Sequence, residues 1–300
     1  RMTDKVRNVV IIVNDAFRAD LLGTIGDGSR TPNMTALSED SIVFNQAIAA
    51  APYTVASISA LFSGLIPDAH GVRRGRDTFP EHLDTMAQAF VRKDYYTLVM
   101  AGLPFIKRKF GITRACEKEV YLRSDENRAA GISTMELDII RDSIAEAKAS
   151  GKPVFIYTHF LPPHWPYSPP PPFGDLTNHD GKKEDRERRK IRQDLSNGSI
   201  DQNSPAMLEH KDAYLRNLEY ADYVTNEMIG YLKEYDMYDD TLLIIGADHG
   251  EAFGEHNSLG HSSTVYDHMI HVPLVVHYPG VEPRIVDQHV GLIDPYPPIA

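Results

Sequence analysis

The chain has 300 residues, 42% hydrophobic and 24% charged, the balance of a globular protein that buries one large core with or without a small appendage. A formal net charge of −11 argues against a broad nucleic-acid footprint, yet leaves an anionic substrate open because a bound divalent cation reverses the local field. The single cysteine, Cys116, excludes an internal disulfide framework and a zinc–thiolate cluster, and no apolar run is long enough to span a membrane. The opening RMTDKVRNVVIIV has no apolar leader core or small-residue cleavage site, which sets a cytoplasmic expectation, or an extracytoplasmic one if the chain is clipped from a longer precursor.

In chain order, RNVVIIVNDAF reads as a buried strand ending in a polar turn. TPNMTALSED predicts a helix with Thr31 as cap and Pro32 at its first position. SIVFNQAIA is a second extended segment, and VASISALFSGL a helix starting just after Thr54. TFPEHLDTMAQAFVRKDYYTLVMAG repeats helix then strand, as do TMELDIIRDSIAEAKASGKP and PVFIYTHF. HWPYSPPPPFGDL is too rich in proline for regular structure, and GKKEDRERRKIRQDL reads as a solvated helix or mobile insertion rather than a nucleic-acid arm. A long helix over AYLRNLEYADYVTNEMIGYLKEYDM, the strand TLLIIGADHG and the strand VPLVVHYPG complete the pattern, and GLIDPYPPIA begins an Asp-led turn into a helix. Alternating strands and helices predict a largely parallel sheet covered on both faces, with a ligand site outside the carboxyl ends of its strands.

Four segments carry residues suited to catalysis, each with an ordinary structural reading beside the chemical one. Asn14 and Asp15 follow a buried strand, where a turn or cap is the plain reading. Thr54 stands at a helix start, where it could cap; free N–H groups there also favour an anion. Asp248, His249 and Gly250 end a strand, so a carboxylate and an imidazole can reach one metal ion while the glycine lets the backbone turn. His164 in PPHWPY and His261 in LGHSS are lone loop histidines, a class more often incidental than catalytic.

Their order changes this reading. NVVIIVNDAF, APYTVASISALFSGLIPDAHGV, HFLPPHWPY, TLLIIGADHGEAFGEH and HMIHVPLVV appear in succession, and over nearly the whole chain the set resembles the sulfatase family of the alkaline phosphatase superfamily. The resemblance implies an α/β three-layer sandwich with a largely parallel central sheet. Residues 1–300 would form the catalytic domain, and a smaller C-terminal subdomain would lie beyond them. By the same resemblance Asp15, Asp248 and His249 are metal ligands and Thr54 is a nucleophile bound to the same ion. Asn14 stands where sulfatases often have another ligating Asp. His164 and His261 match positions that contact the transferred group or assist the leaving oxygen, with His256 in GEH a further candidate. One divalent ion is expected, and such an oxygen-rich site would accept manganese, zinc, magnesium or calcium. The implied partner is a small anionic ester, a glycan or a lipid headgroup.

Two departures bear on the chemistry. Sulfatases carry a Cys or Ser that is oxidised to formylglycine, and four residues later an Arg; here those positions are Thr54 and Ile58. A threonine cannot yield that aldehyde, so its ester has to be cleaved by a second in-line attack, a route suited to phosphothreonine. This tilts the expectation toward phosphoryl or phosphonyl transfer, by hydrolysis or to an acceptor alcohol. The alternatives are a sulfate-ester hydrolase using Thr54 directly and a catalytically silent anion- or glycan-binding module. Tyr53, Trp165 and Tyr167 are candidate pocket aromatics, although packing is the usual fate of any one aromatic.

Overall fold

A computed structural model of the protein describes residues 5–122, 134–175 and 181–295. Among these, the first half runs β1 (Asn8–Asn14), α1 (Pro32–Glu39), β2 (Ile42–Phe44), β3 (Ala47–Ile48), α2 (Thr54–Ser63), α3 (Pro67–His70), α4 (Met86–Arg92), β4 (Tyr96–Ala101) and β5 (Lys118–Tyr121). There follow α5 (Thr134–Ala149), β6 (Val154–Phe160), α6 (Gly181–Ser196), α7 (Pro205–Glu234), β7 (Thr241–Gly246), β8 (Ala252–Phe253) and β9 (Leu259–Gly260). The described residues close with α8 (Asp267–Ile270), β10 (His271–Val272), β11 (Leu274–His277), β12 (Arg284–Val286) and β13 (Val290–Gly291).

Eight strands form one sheet in the order β12-β2-β11-β7-β1-β6-β4-β5, in the alkaline phosphatase/sulfatase-like α/β architecture that the sequence implied. Its centre is parallel: β1 lies between β6 and β7, with Val13 opposite His159 and Gly246. The apolar runs of these three strands are buried along their whole length, as expected where helices cover both faces. Their carboxyl ends therefore open side by side at one edge of the sheet.

Several local expectations change in three dimensions. VPLVVHYPG forms β11, but it runs antiparallel to both β7 and β2. SIVFNQAIA divides at Asn45–Gln46 into β2 of the main sheet and β3 of a separate three-stranded sheet. Thr31 occupies the cap position of α1, but its hydroxyl donates to the Leu21 carbonyl at 2.7 Å. The capping acceptor comes instead from α7, where the Asp222 carboxylate receives Asn33 N–H at 3.0 Å and Met34 N–H at 2.8 Å. Thr54 is the first residue of α2 rather than its cap; Tyr53, extended at φ −161°, is the cap. The charged insertion is the solvated helix α6, of which only Leu195 is fully buried. The edge strands β5 and β12 carry mixed polar residues and gave no apolar run to read. At the end of the chain Asp294 accepts Gly291 N–H in a turn; residues 296–300, where a helix is expected, lie outside the described residues.

Candidate active site

The carboxyl ends of β1 and β7 and the first turn of α2 meet at one buried point. Every residue of α2 is buried, so the helix is held by its apolar surface, and Gly64 ends it in the left-handed conformation at φ 67°. Ser57, in its first turn, donates to the Asp248 carbonyl at 2.6 Å and ties the helix start to the end of β7. Thr54 Oγ1 thereby lies 3.1 Å from His249 Nε2. The opening turn of α2 also leaves backbone N–H groups without intrahelical acceptors beside that hydroxyl.

Asp15, Asp248 and His249 are fully buried and present one ligand atom each within 4.8 Å of one another. Asp248 Oδ1 is saturated by Ala16 N–H at 3.2 Å and His249 N–H at 3.0 Å, which turns Oδ2 toward the centre. His249 Nδ1 faces the Gly250 carbonyl at 2.8 Å; a carbonyl only accepts, so Nδ1 carries the proton and Nε2 presents a lone pair. That lone pair lies 3.3 Å from Asp15 Oδ1 and 3.5 Å from Asp248 Oδ2. Both Asp15 oxygens and Asp248 Oδ2 are buried without a hydrogen-bond partner. Three acceptors aimed at one another with no proton between them repel, and a divalent cation is what this donor set fits. Gly250 is required by packing as much as by the turn: an added Cβ would stand 2.1 Å from the His268 carbonyl oxygen.

The ligand loop is held under tension. Ala16, directly after Asp15, sits at φ 62°, a region that side chains avoid. Its carbonyl accepts the Tyr214 hydroxyl of α7 at 2.8 Å, while its N–H binds Asp248. Arg18 braces the other side, donating to the Glu251 carbonyl at 3.2 Å and pairing with Asp20 and Glu255.

His164 and His261 are brought to the same centre. The His261 ring centroid lies 4.3 Å from that of His249 and 4.9 Å from that of His164, tilted against both. His261 Nδ1 meets Glu251 Oε1 at 3.3 Å, and Tyr167 donates to Glu251 Oε2 at 3.2 Å. Burial alone would lower the His261 pKa, but the hydrogen bond and charge of Glu251 outweigh it and raise it. Burial would raise Glu251, and His261 in turn holds it down to about 2. His164 differs: burial lowers its pKa, and its Nδ1 is spent on the Trp165 carbonyl.

Other residues of the predicted set lie elsewhere. Asn14 is buried at the end of β1, next to Asp15, where its amide oxygen accepts from Thr225 at 3.2 Å and its nitrogen faces Met34 Sδ. His256 is an exposed residue stacked on Tyr266 with ring centroids 3.7 Å apart. Ile58 is part of the apolar core. Trp165 and Tyr167 line a cavity of about 440 Å³ between the proline loop, α6 and α7, together with Arg188 and His210; Tyr53 is half-buried at the cap of α2. Two residues escaped the sequence reading. Glu251 was visible in DHGE, but its role depends on His261, ten residues away. His159, fully buried in β6, lies 3.4 Å from Asp15 Oδ2. A polar residue in an otherwise apolar strand was the signal that could have found it.

Fold and donor set together define an α/β protein of the alkaline phosphatase/sulfatase architecture, with a buried carboxylate–imidazole cluster at the carboxyl ends of its central strands. The Sulfatase family profile matches residues 7–300, and the chain belongs to that family. An arylsulfatase of Clostridium perfringens is 23% identical over 91% of this chain and 69% of its own length. A choline-sulfatase of Rhizobium meliloti is 23% identical over 100% of this chain and 68% of its own. Among solved structures, the phosphonate monoester hydrolase of Agrobacterium radiobacter superposes with a TM-score of 0.72 at 20% identity, covering 97% of this chain and 72% of that one. The corresponding enzyme of Silicibacter pomeroyi gives 0.75 at 20% identity over the same shares. The chain thus spans about two thirds of the length of these curated relatives.

Proposed function

We propose that the protein is a metal-dependent hydrolase or transferase of phosphoester or phosphonate substrates that works through a covalent Thr54 intermediate. The observation that carries this is Thr54 Oγ1 at the start of α2, 3.1 Å from the His249 Nε2 lone pair and beside Asp15 and Asp248. The fold likeness to phosphonate monoester hydrolases supports the same substrate class.

Asp15, Asp248 and His249 would hold one divalent cation. When bound, such an ion supplies Lewis acidity, lowering the pKa of a neighbouring hydroxyl and polarising an ester oxygen. Thr54 supplies the nucleophilic oxygen. With its hydroxyl proton already released to solvent, Oγ1 attacks phosphorus in line as the alkoxide, the bond to the leaving alcohol breaks, and the free N–H groups of α2 face the charge that develops. His261, whose pKa the Glu251 carboxylate raises, gives its proton to the departing oxygen. Water or an acceptor alcohol then attacks the phosphothreonine from the opposite side, returning a proton to His261 and freeing Thr54. His164, with Nδ1 bound to the Trp165 carbonyl, offers Nε2 to orient a substrate hydroxyl.

The second reading is a sulfuric ester hydrolase that uses Thr54 directly, favoured by the arylsulfatase and choline-sulfatase relatives. Steady-state assays with Mn²⁺ on aryl phosphodiester, phosphonate monoester, phosphomonoester and aryl sulfate substrates separate the two. Phosphoryl or phosphonyl turnover, abolished in Thr54→Ala with Mn²⁺ binding retained, is the expected result. Sulfate turnover alone would select the second reading, and an unimpaired Thr54→Ala would sink both.

A further inference from the structure

We infer that His159 is a positioning residue for the cation site: with Tyr157 behind it, it steadies Asp15 through Oδ2, while His249 faces Oδ1. The inference rests on the reading of Asp15, Asp248 and His249 as a cation site. Tyr157 and His159 are two apart in β6, so both side chains leave the same face of the sheet. Both are fully buried, and the Tyr157 hydroxyl lies 2.8 Å from His159 Nδ1. At its other end the His159 ring points at the two carboxylates: Nε2 is 3.4 Å from Asp15 Oδ2 and 3.9 Å from Asp248 Oδ2. Among the described residues neither Nε2 nor Asp15 Oδ2 has a hydrogen-bond partner, so the two face each other as a close polar contact rather than a formed hydrogen bond.

Proton accounting settles the direction of this chain. If Nδ1 carried the proton, it would donate to Tyr157, whose own proton would then lack its acceptor, and the Nε2 lone pair would face two carboxylate oxygens. With the proton on Nε2, Tyr157 O–H donates to Nδ1 and Nε2–H faces the carboxylates, with Asp15 Oδ2 at 3.4 Å. Asp15 then has one oxygen, Oδ2, facing a neutral donor and the other, Oδ1, toward His249 Nε2 at 3.3 Å. Asp248 is arranged the same way, with Oδ1 held by two N–H groups and Oδ2 left toward the centre. The strand that leads into Asp15, β1, is flanked by β7, which leads into Asp248 and His249, and by β6, which carries the brace. Outer groups that orient ligating carboxylates commonly change metal affinity by about 10–100-fold when removed.

The test is calorimetric Mn²⁺ binding to the wild type, His159→Ala, His159→Gln and Tyr157→Phe, with thermal melting to confirm folding. A roughly tenfold or greater weakening in His159→Ala, partial recovery in His159→Gln and a smaller loss in Tyr157→Phe are expected. Pulsed EPR of bound Mn²⁺ should report one coordinated imidazole nitrogen in the wild type and in His159→Gln alike. Loss of a nitrogen in His159→Gln would make His159 a ligand and overturn the positioning role. A lowered melting temperature with unchanged Mn²⁺ affinity would overturn it too, leaving a packing residue. A wild type that bound no Mn²⁺ would remove the cation site itself, an outcome distinct from either.

Discussion

Tyr214→Phe tests whether α7 holds the ligand loop in its strained shape. The hydroxyl donates to the Ala16 carbonyl at 2.8 Å and receives Arg18 N–H at 3.4 Å, all within the buried interior. Phenylalanine keeps the ring packing against Phe253 and Tyr167, whose centroids lie 4.7 and 5.6 Å away, so no cavity larger than one oxygen is made. What is lost is a pair of buried hydrogen bonds, the second of them long, leaving the Ala16 carbonyl and the Arg18 N–H unpaired at a cost of about 1–3 kcal/mol. For a chain of this size each kcal/mol moves the melting temperature by about 2 °C, so a drop of about 2–6 °C is expected. Ala16 at φ 62° stores about 1–2 kcal/mol that these contacts help to restrain, together with the Asp248 bond to its N–H. Released, it would relax and turn Asp15, and Mn²⁺ affinity should fall about tenfold with kcat/KM. Scanning fluorimetry and calorimetric titration read both effects. A variant with wild-type melting and wild-type Mn²⁺ affinity would refute the argument that Tyr214 maintains the strain.

Three further outcomes follow from the same structure. Chelation should lower the melting temperature, and Mn²⁺ at about a hundred times its Kd should restore about 2.7 kcal/mol; melting that is indifferent to chelator would count against the cation site. Asp222→Ala removes the acceptor for two N–H groups of α1 and should cost about 1–2 kcal/mol in urea unfolding, whereas an unchanged midpoint would show that Thr31 suffices as a cap. His210 is pushed down to about 4, chiefly by burial and then by Arg188, against the weaker opposing pull of Glu251. The unfolded chain therefore takes up a proton near 6.5 that the native one refuses, so stability is lost as pH falls from about 6.5 toward 4. His210→Phe should flatten that slope by about 2–3 kcal/mol, and equal slopes in the two proteins would contradict it.

Legibility differed by the range over which each residue acts. β1, β6 and β7 could be read because a strand buried on both faces must be apolar throughout, and VVIIV, VFIYT and TLLII are. The long helix α7 was equally plain. The direction of β11 was not, because hydrophobicity reports burial and says nothing about which way a strand runs. Asp15, Asp248 and His249 stood out because each follows a strand end, and their order along the chain matched a family pattern. Asn14 matched that pattern by position alone; its amide is used by Thr225, 211 residues later.

What the sequence by itself determined is therefore local chemistry: which segments are buried, where strands end in polar turns, and that a threonine stands where an oxidisable residue would be. Tertiary structure decided which of those groups meet. Glu251 becomes a buried counter-ion only because the loop bearing His261 folds back over it, and His159 becomes a brace only because β6 lies beside β1. Asp222 caps a helix from 189 residues away. The reason is physical: the pattern of apolar residues measures how each segment prefers to face water, a one-body property. Hydrogen bonds, proton positions and cation sites depend on pairs and triples of atoms that only the packed chain brings within a few ångströms.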